Sequence, residues 1–130
     1  MGSRPPDRPV DRPAGASKRL GAGPAFSLEV VHSGRGRVRL ALHGELDVLM
    51  ARPVRQRVAE LVGAGFGEIV LDLQHLSFID STGMRLLLGF HFQARRDGWR
   101  LSLIRGPETV QRVFEIAGTA RVLPFVADSA

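Results

Sequence analysis

Asp80, Ser81 and Thr82 line up three oxygen-bearing side chains, and Gly83 follows them to keep the surface open. A serine between a strand and a helix is where many hydrolases carry their nucleophile. Those sites read Gly-x-Ser-x-Gly and need an acid and then a histidine later in the chain, whereas Ser81 is flanked by Asp80 and Thr82, and no histidine follows His91. Hydrolysis fails on that order. His32, His43, His75 and His91 show neither HExxH nor His-x-His spacing, and the absence of cysteine removes thiolate ligands and thiol catalysis. The glycines at 21–23, 34–36 and 63–67 lack the Lys and Ser/Thr of a phosphate loop and the acidic follow-up of a dinucleotide site. No catalytic residue, metal site or cofactor is expected. On spacing alone Ser81 is a helix N-cap, a role worth about 1 kcal/mol.

The elements that must position this stretch follow from hydrophobic period. Ile69, Val70, Leu71 and Leu73 form an apolar run of strand length, and Met84, Leu87, Leu88 and His91 recur at helical spacing, so the period changes at Ser81. That helix is expected to run to about Arg96, with Gly98 as its stop. Leu86, Phe90 and Phe92 fall partly off its stripe, which predicts deep packing. Upstream, Phe26, Leu28 and Val30 alternate, a turn follows at Ser33–Gly36, and Val38, Leu40 and Leu42 share a face, which makes a hairpin. Arg37, Arg39 and His43 take its outer face, where an arginine is expected to pair with Glu29.

Met50, Val54, Val58, Leu61 and Val62 mark a helix with Pro53 in its first turn, followed by a strand over Glu68–Leu73. Asp72 interrupts that strand and is expected at a face or end where it is hydrated or paired. Trp99–Ile104 reads as a further strand, Val110, Val113, Phe114 and Ile116 as a helix, and Val122–Val126 as a last strand or extended segment. The order β β α β α β α β predicts an α/β fold, with helices packed on a mixed sheet of four to five strands.

A chain of 130 residues with 44% hydrophobic content suits one core. Residues 1–24 hold five of the eight prolines and few apolar residues, so they read as a disordered tail, leaving one domain over residues 25–130. The net charge of +5 is concentrated there, in Arg4, Arg8, Arg12, Lys18 and Arg19 against Asp7 and Asp11. The remainder is weakly basic, so no direct nucleic-acid partner is expected. No run approaches a bilayer span and no leader pattern opens the chain, which points to a cytoplasmic protein with no membrane partner.

Phe26–Val126 resembles the STAS domain, the fold of bacterial anti-anti-sigma factors. "FIDSTGMRLLL", residues 78–88, is similar to that family's Asp-Ser-Ser/Thr-Gly signature before an apolar helix. Glu45, Leu46 and Asp47 after a glycine match a second signature in the loop before helix one, and "VLPF", residues 122–125, matches a weaker third. The resemblance implies a STAS-like fold and an anti-sigma factor antagonist. In that role Ser81 is phosphorylated by a partner that is both anti-sigma factor and serine kinase, and a serine phosphatase resets it. Asp80, Thr82 and Gly83 would then shape the docking loop, with Asp47 in the neighbouring loop. The family commonly continues into a terminal helix, of which the residues after "VLPF" leave room for only a stub.

Two other readings stay open at this level. One is a STAS subunit of a transport or stress-sensing assembly that docks through the same loop without phosphorylation, and the other is a small hydrolase using Ser81.

Overall fold

The computed structural model describes residues 17–23, 26–32 and 34–126, with backbone alone for 17–23. Its elements run β1 (Ser17–Gly23), β2 (Phe26–His32), β3 (Arg37–Leu46), α1 (Val48–Gly63), β4 (Glu68–Ile79), α2 (Ser81–Asp97), β5 (Arg100–Ile104), α3 (Glu108–Ala117) and β6 (Phe125–Val126). The strands form one six-stranded sheet whose spatial order is their sequence order. β1, β2 and β3 pair antiparallel, and β3, β4, β5 and β6 pair parallel. Each parallel step needs a long crossover, and α1, α2 and α3 supply them.

From β2 onward the element order is the one expected. At the other end Ser17–Gly23, assigned in sequence to the tail, pairs with β2 from Ser17↔Val31 to Gly23↔Phe26 and brings the sheet to six strands. A ladder is built from backbone N–H and C=O groups, so a sheet edge can recruit a segment that has little apolar content. Residues 1–16 of the expected tail and the stub after Val126 lie outside the described residues, as does Ser33 of the expected turn.

The core sits between one face of the sheet and the helices. Val38, Leu40 and Leu42 of β3, Ile69, Leu71 and Leu73 of β4, and Leu101 and Leu103 of β5 alternate onto that face. Ala51, Val54, Val58 and Leu61 of α1, Met84, Leu87 and Phe90 of α2, and Val110 and Phe114 of α3 close over them. Leu86 and Phe90 are packed inside as expected, but Phe92 is exposed.

β4 is longer than the expected Glu68–Leu73 and runs to Ile79. Beyond Asp72 its ladder among the described residues is with β3 alone, so Gln74, His75, Ser77 and Phe78 are exposed and the apolar period breaks down although the strand continues. The register slips where Ala41/His43 faces Asp72/His75. Asp72 is not at an edge: it is only 2% exposed. Its Oδ1 accepts the Gln74 N–H at 2.9 Å, and its Oδ2 lies 3.8 Å from Arg39 Nε, so it is paired in place.

The remaining outer-face charges are also partnered. Among the described residues His43 meets Glu29 at 3.0 Å, while Arg37 lies 3.8 Å from Glu68.

Two further boundaries moved. α1 begins at Val48, which places Pro53 in the second turn and leaves the Leu49 carbonyl without an i+4 N–H donor. The last extended segment narrows to Phe125–Val126, because Val122 and Leu123 both donate to the Thr119 carbonyl in a tight turn.

Candidate functional site

β3 and β4 are parallel neighbours, and each ends by feeding a helix at the same edge of the sheet. Leu46 stands opposite Ile79 in the ladder, so Asp47 and Asp80, the next residues, both start helices there. Asp47 accepts the Leu49 N–H at 3.0 Å, and Asp80 accepts the Gly83 N–H at 2.9 Å. Both carboxylates satisfy N–H groups that a helix start leaves without intrahelical partners. The two loops are joined directly, since the Asp80 N–H donates to the Leu46 carbonyl at 3.3 Å.

The glycine before Glu45 has a structural reason. Gly44 takes φ of 103°, and the register slips between Gly44 and Glu45, so the strand is re-aimed just before Asp47.

The cap of α2 is Asp80 and not Ser81. Ser81 is the first helical residue and is exposed, so its hydroxyl is free of the capping task that spacing alone assigned to it. Thr82 follows half-buried. Gly83 is buried and contributes packing instead of an open surface: a Cβ there would lie 2.7 Å from the Leu46 carbonyl oxygen and 2.9 Å from Leu46 Cγ. The fold thus brings Asp47, Asp80, Ser81 and Thr82 to one edge and places Gly83 beneath them.

Sequence reasoning missed the apolar residues around this edge. Val48 is 64% exposed, Leu49 73% and Phe78 47%; Val48 and Leu49 directly follow the Asp47 cap, and Phe78 lies two residues before the Asp80 cap. Single exposed apolar side chains are ordinary, but these three fall within two residues of the two helix caps. The available signal was that Val48 and Leu49 lie off the Val54, Val58 and Leu61 stripe once the helix is started at Asp47.

A groove of about 280 Å³ opens beside the edge, lined by Arg55 of α1 and by Thr82, Arg85, Leu86, Gly89, Phe90 and Gln93 of α2. Among the described residues there is no group of three or more His, Cys, Asp or Glu side chains placed to hold a metal ion. No described helix is long and apolar enough to cross a membrane. The arrangement offers one exposed hydroxyl, two fixed carboxylates and an apolar surround, which suits recognition by another macromolecule.

Comparison with known proteins agrees with this geometry. The family profile described as Mlab, STAS domain, matches residues 30–124. An anti-sigma F factor antagonist of Lysinibacillus sphaericus is 32% identical over 94 residues, covering 72% of this chain and 79% of the relative. The structure of the anti-sigma factor antagonist SpoIIAA in its unphosphorylated form aligns with a TM-score of 0.65 at 25% identity, covering 78% of this chain and 90% of that one. The phosphorylated form of SpoIIAA from Bacillus shares the fold, with a TM-score of 0.60 at 23% identity over 78% of this chain and 93% of that one. This chain belongs to the STAS domain family, and the relatives named above are anti-sigma factor antagonists.

Proposed function

We propose that this chain is a cytoplasmic anti-sigma factor antagonist that docks an anti-sigma factor with serine kinase activity and is switched off by phosphorylation of Ser81. The observation that carries the reading is the exposed Ser81 hydroxyl on the first residue of α2, freed by the Asp80 cap, with exposed Val48, Leu49 and Phe78 next to the two caps in the chain. The apolar trio supplies surface that gains by burial, roughly 1.5–3 kcal/mol for each side chain fully covered. Docking sequesters the anti-sigma factor and releases its sigma factor.

The kinase then transfers the γ-phosphoryl group of ATP to Ser81. The Ser81 Oγ–P bond forms, the bond to the ADP leaving oxygen breaks, and the hydroxyl proton passes to a base on the kinase. The new group adds about −1.5 to −2 charges beside Asp80 and the neighbouring Asp47 loop. An apolar interface closed over these loops would have to bury that charge, so the complex dissociates while the fold stays as it was. A serine phosphatase returns the hydroxyl by hydrolysis. In this reading Ser81 receives chemistry and performs none.

The test is to incubate the protein with a cognate kinase-type anti-sigma factor and ATP, and separately with ADP. Complex formation and the mass of the Ser81 peptide are followed. A stable ADP complex, an 80-dalton gain at Ser81 with ATP and loss of the complex are expected, about 80 Da being one phosphoryl group replacing hydrogen. If Ser81 stays unmodified and Ser81→Asp binds as well as the wild type, the switch is refuted, and docking without phosphorylation, as a STAS subunit of another assembly, takes its place.

A further inference from the structure

Arg55 and Arg85 face one groove from different helices, with Thr82 between them and the Ser81 edge. Neither makes an ion pair among the described residues, whereas Arg57 holds Glu60, Arg37 faces Glu68 and Arg39 faces Asp72. Two guanidinium groups sharing a groove repel one another until an anion enters. Leu86 and Phe90 are buried at the same groove, so an anion seated there meets less water than on an open surface.

Ser81 and Arg85 are four residues apart on α2, the spacing that sets two helical side chains one above the other. Arg85 therefore stands between Ser81 and the groove. A guanidinium fork matches two phosphate oxygens at once, which an ammonium cannot do.

We propose that Arg85, with Arg55 across the groove, forms a receptor for the phosphate carried on Ser81. This rests on the reading of Ser81 as a phosphoacceptor and adds what becomes of the phosphate afterwards. The dianion leans over Arg85 into the groove, away from Asp80, and links α2 to α1 through the two arginines. Phosphorylation then does more than add repulsion: it fills the groove and fixes the first turn of α2 against α1.

The experiment installs phosphoserine at position 81 during translation, so it does not depend on any kinase. The phosphorus-31 resonance is titrated in the otherwise wild-type protein, in R85A, R85K, R55A and R112A, and in a short peptide spanning Ser81. A cation beside the group favours the dianion, so the second ionisation, near pH ~6 in a free phosphoserine, should fall by about half a unit in the folded protein. R85A should move the value back toward that of the peptide, R85K should keep more of the shift than R85A, R55A should lose part, and R112A on α3 should change nothing. Equal titrations in wild type and R85A would overturn the proposal, whatever the peptide shows. So would unchanged titrations accompanied by weaker anti-sigma factor binding in unphosphorylated R85A, since the groove would then seat an acidic segment of the partner. Failure of a kinase to modify Ser81 would refute the proposed function and leave these titrations standing.

Discussion

The Asp80 N–H donates to the Leu46 carbonyl at 3.3 Å, tying the first residue after β4 to the last residue of β3. Leu46 is also the residue that Gly83 packs on, so one side chain and its carbonyl set the height of both helix starts. The edge that carries Asp47, Asp80 and Ser81 is a single frame and not two loops that happen to be adjacent. Under the proposed function, a charge added at Ser81 would be read by a partner against fixed surroundings.

That close approach predicts opposite outcomes for two helical glycines. Gly83→Ala drives a Cβ to 2.7 Å from a backbone oxygen, which cannot swing aside. Overpacking of this kind costs about 1–3 kcal/mol, more than the roughly 1 kcal/mol that alanine gains in helix propensity. Gly89→Ala meets nothing within 4 Å and should stabilise by about 0.5–1 kcal/mol. Urea unfolding of both variants decides it, and wild-type stability for Gly83→Ala would show that α2 can shift.

Capping separates Asp80 from Ser81. Asp80→Ala should cost about 1 kcal/mol, because the Gly83 N–H loses its acceptor. Ser81→Ala should stay within about 0.5 kcal/mol of the wild type. Thermal melts of the two variants measure the contrast, and an equal loss at both positions would mean that the Ser81 hydroxyl shares the capping.

The apolar border of the site should matter for binding and not for folding. Leu49→Ser and Phe78→Ser should each weaken binding of the anti-sigma factor by roughly tenfold or more, as expected of central contacts, with little change in stability. Phe92→Ser and Ile116→Ser, exposed elsewhere, serve as controls that keep full affinity. Calorimetric titration of the four variants locates the interface, and losses at Phe92 or Ile116 as large as at Leu49 would move it.

The buried carboxylate of Asp72 predicts a coupled pair. Arg39→Leu removes the guanidinium 3.8 Å away and leaves that charge without its counterion. Complete burial of such a charge would cost several kcal/mol, but Arg39 is partly exposed, so a loss of about 1–3 kcal/mol is expected. Adding Asp72→Asn should recover much of it, since the asparagine oxygen still accepts the Gln74 N–H. Additive losses in the double-mutant cycle would show that the two residues act independently.

Much of this fold was legible because period and punctuation agree. The hairpin, α2 with its Gly98 stop and α3 before Gly118 are all where spacing put them. The signature around Ser81 led to the right family. What escaped were features that hydrophobic period does not encode. The second half of β4 is polar because its ladder beyond Asp72 is with β3 alone, so an alternating pattern was absent from a real strand. β1 is held by backbone pairing, to which composition is blind. The choice between Asp80 and Ser81 as cap rests on one backbone step, below what spacing resolves. Arg55 and Arg85 look like ordinary surface arginines until α1 and α2 are set side by side.

The order of the strands across the sheet bears on how the protein is made. Because β1 to β6 lie side by side in the order in which they are synthesised, each strand leaving the ribosome can join an edge that its predecessor has just presented. No strand has to wait for a later one to insert between it and its neighbour. The Leu46–Asp80 connection involves only β3, β4 and the start of α2, so it does not depend on β5, α3 and β6 having packed.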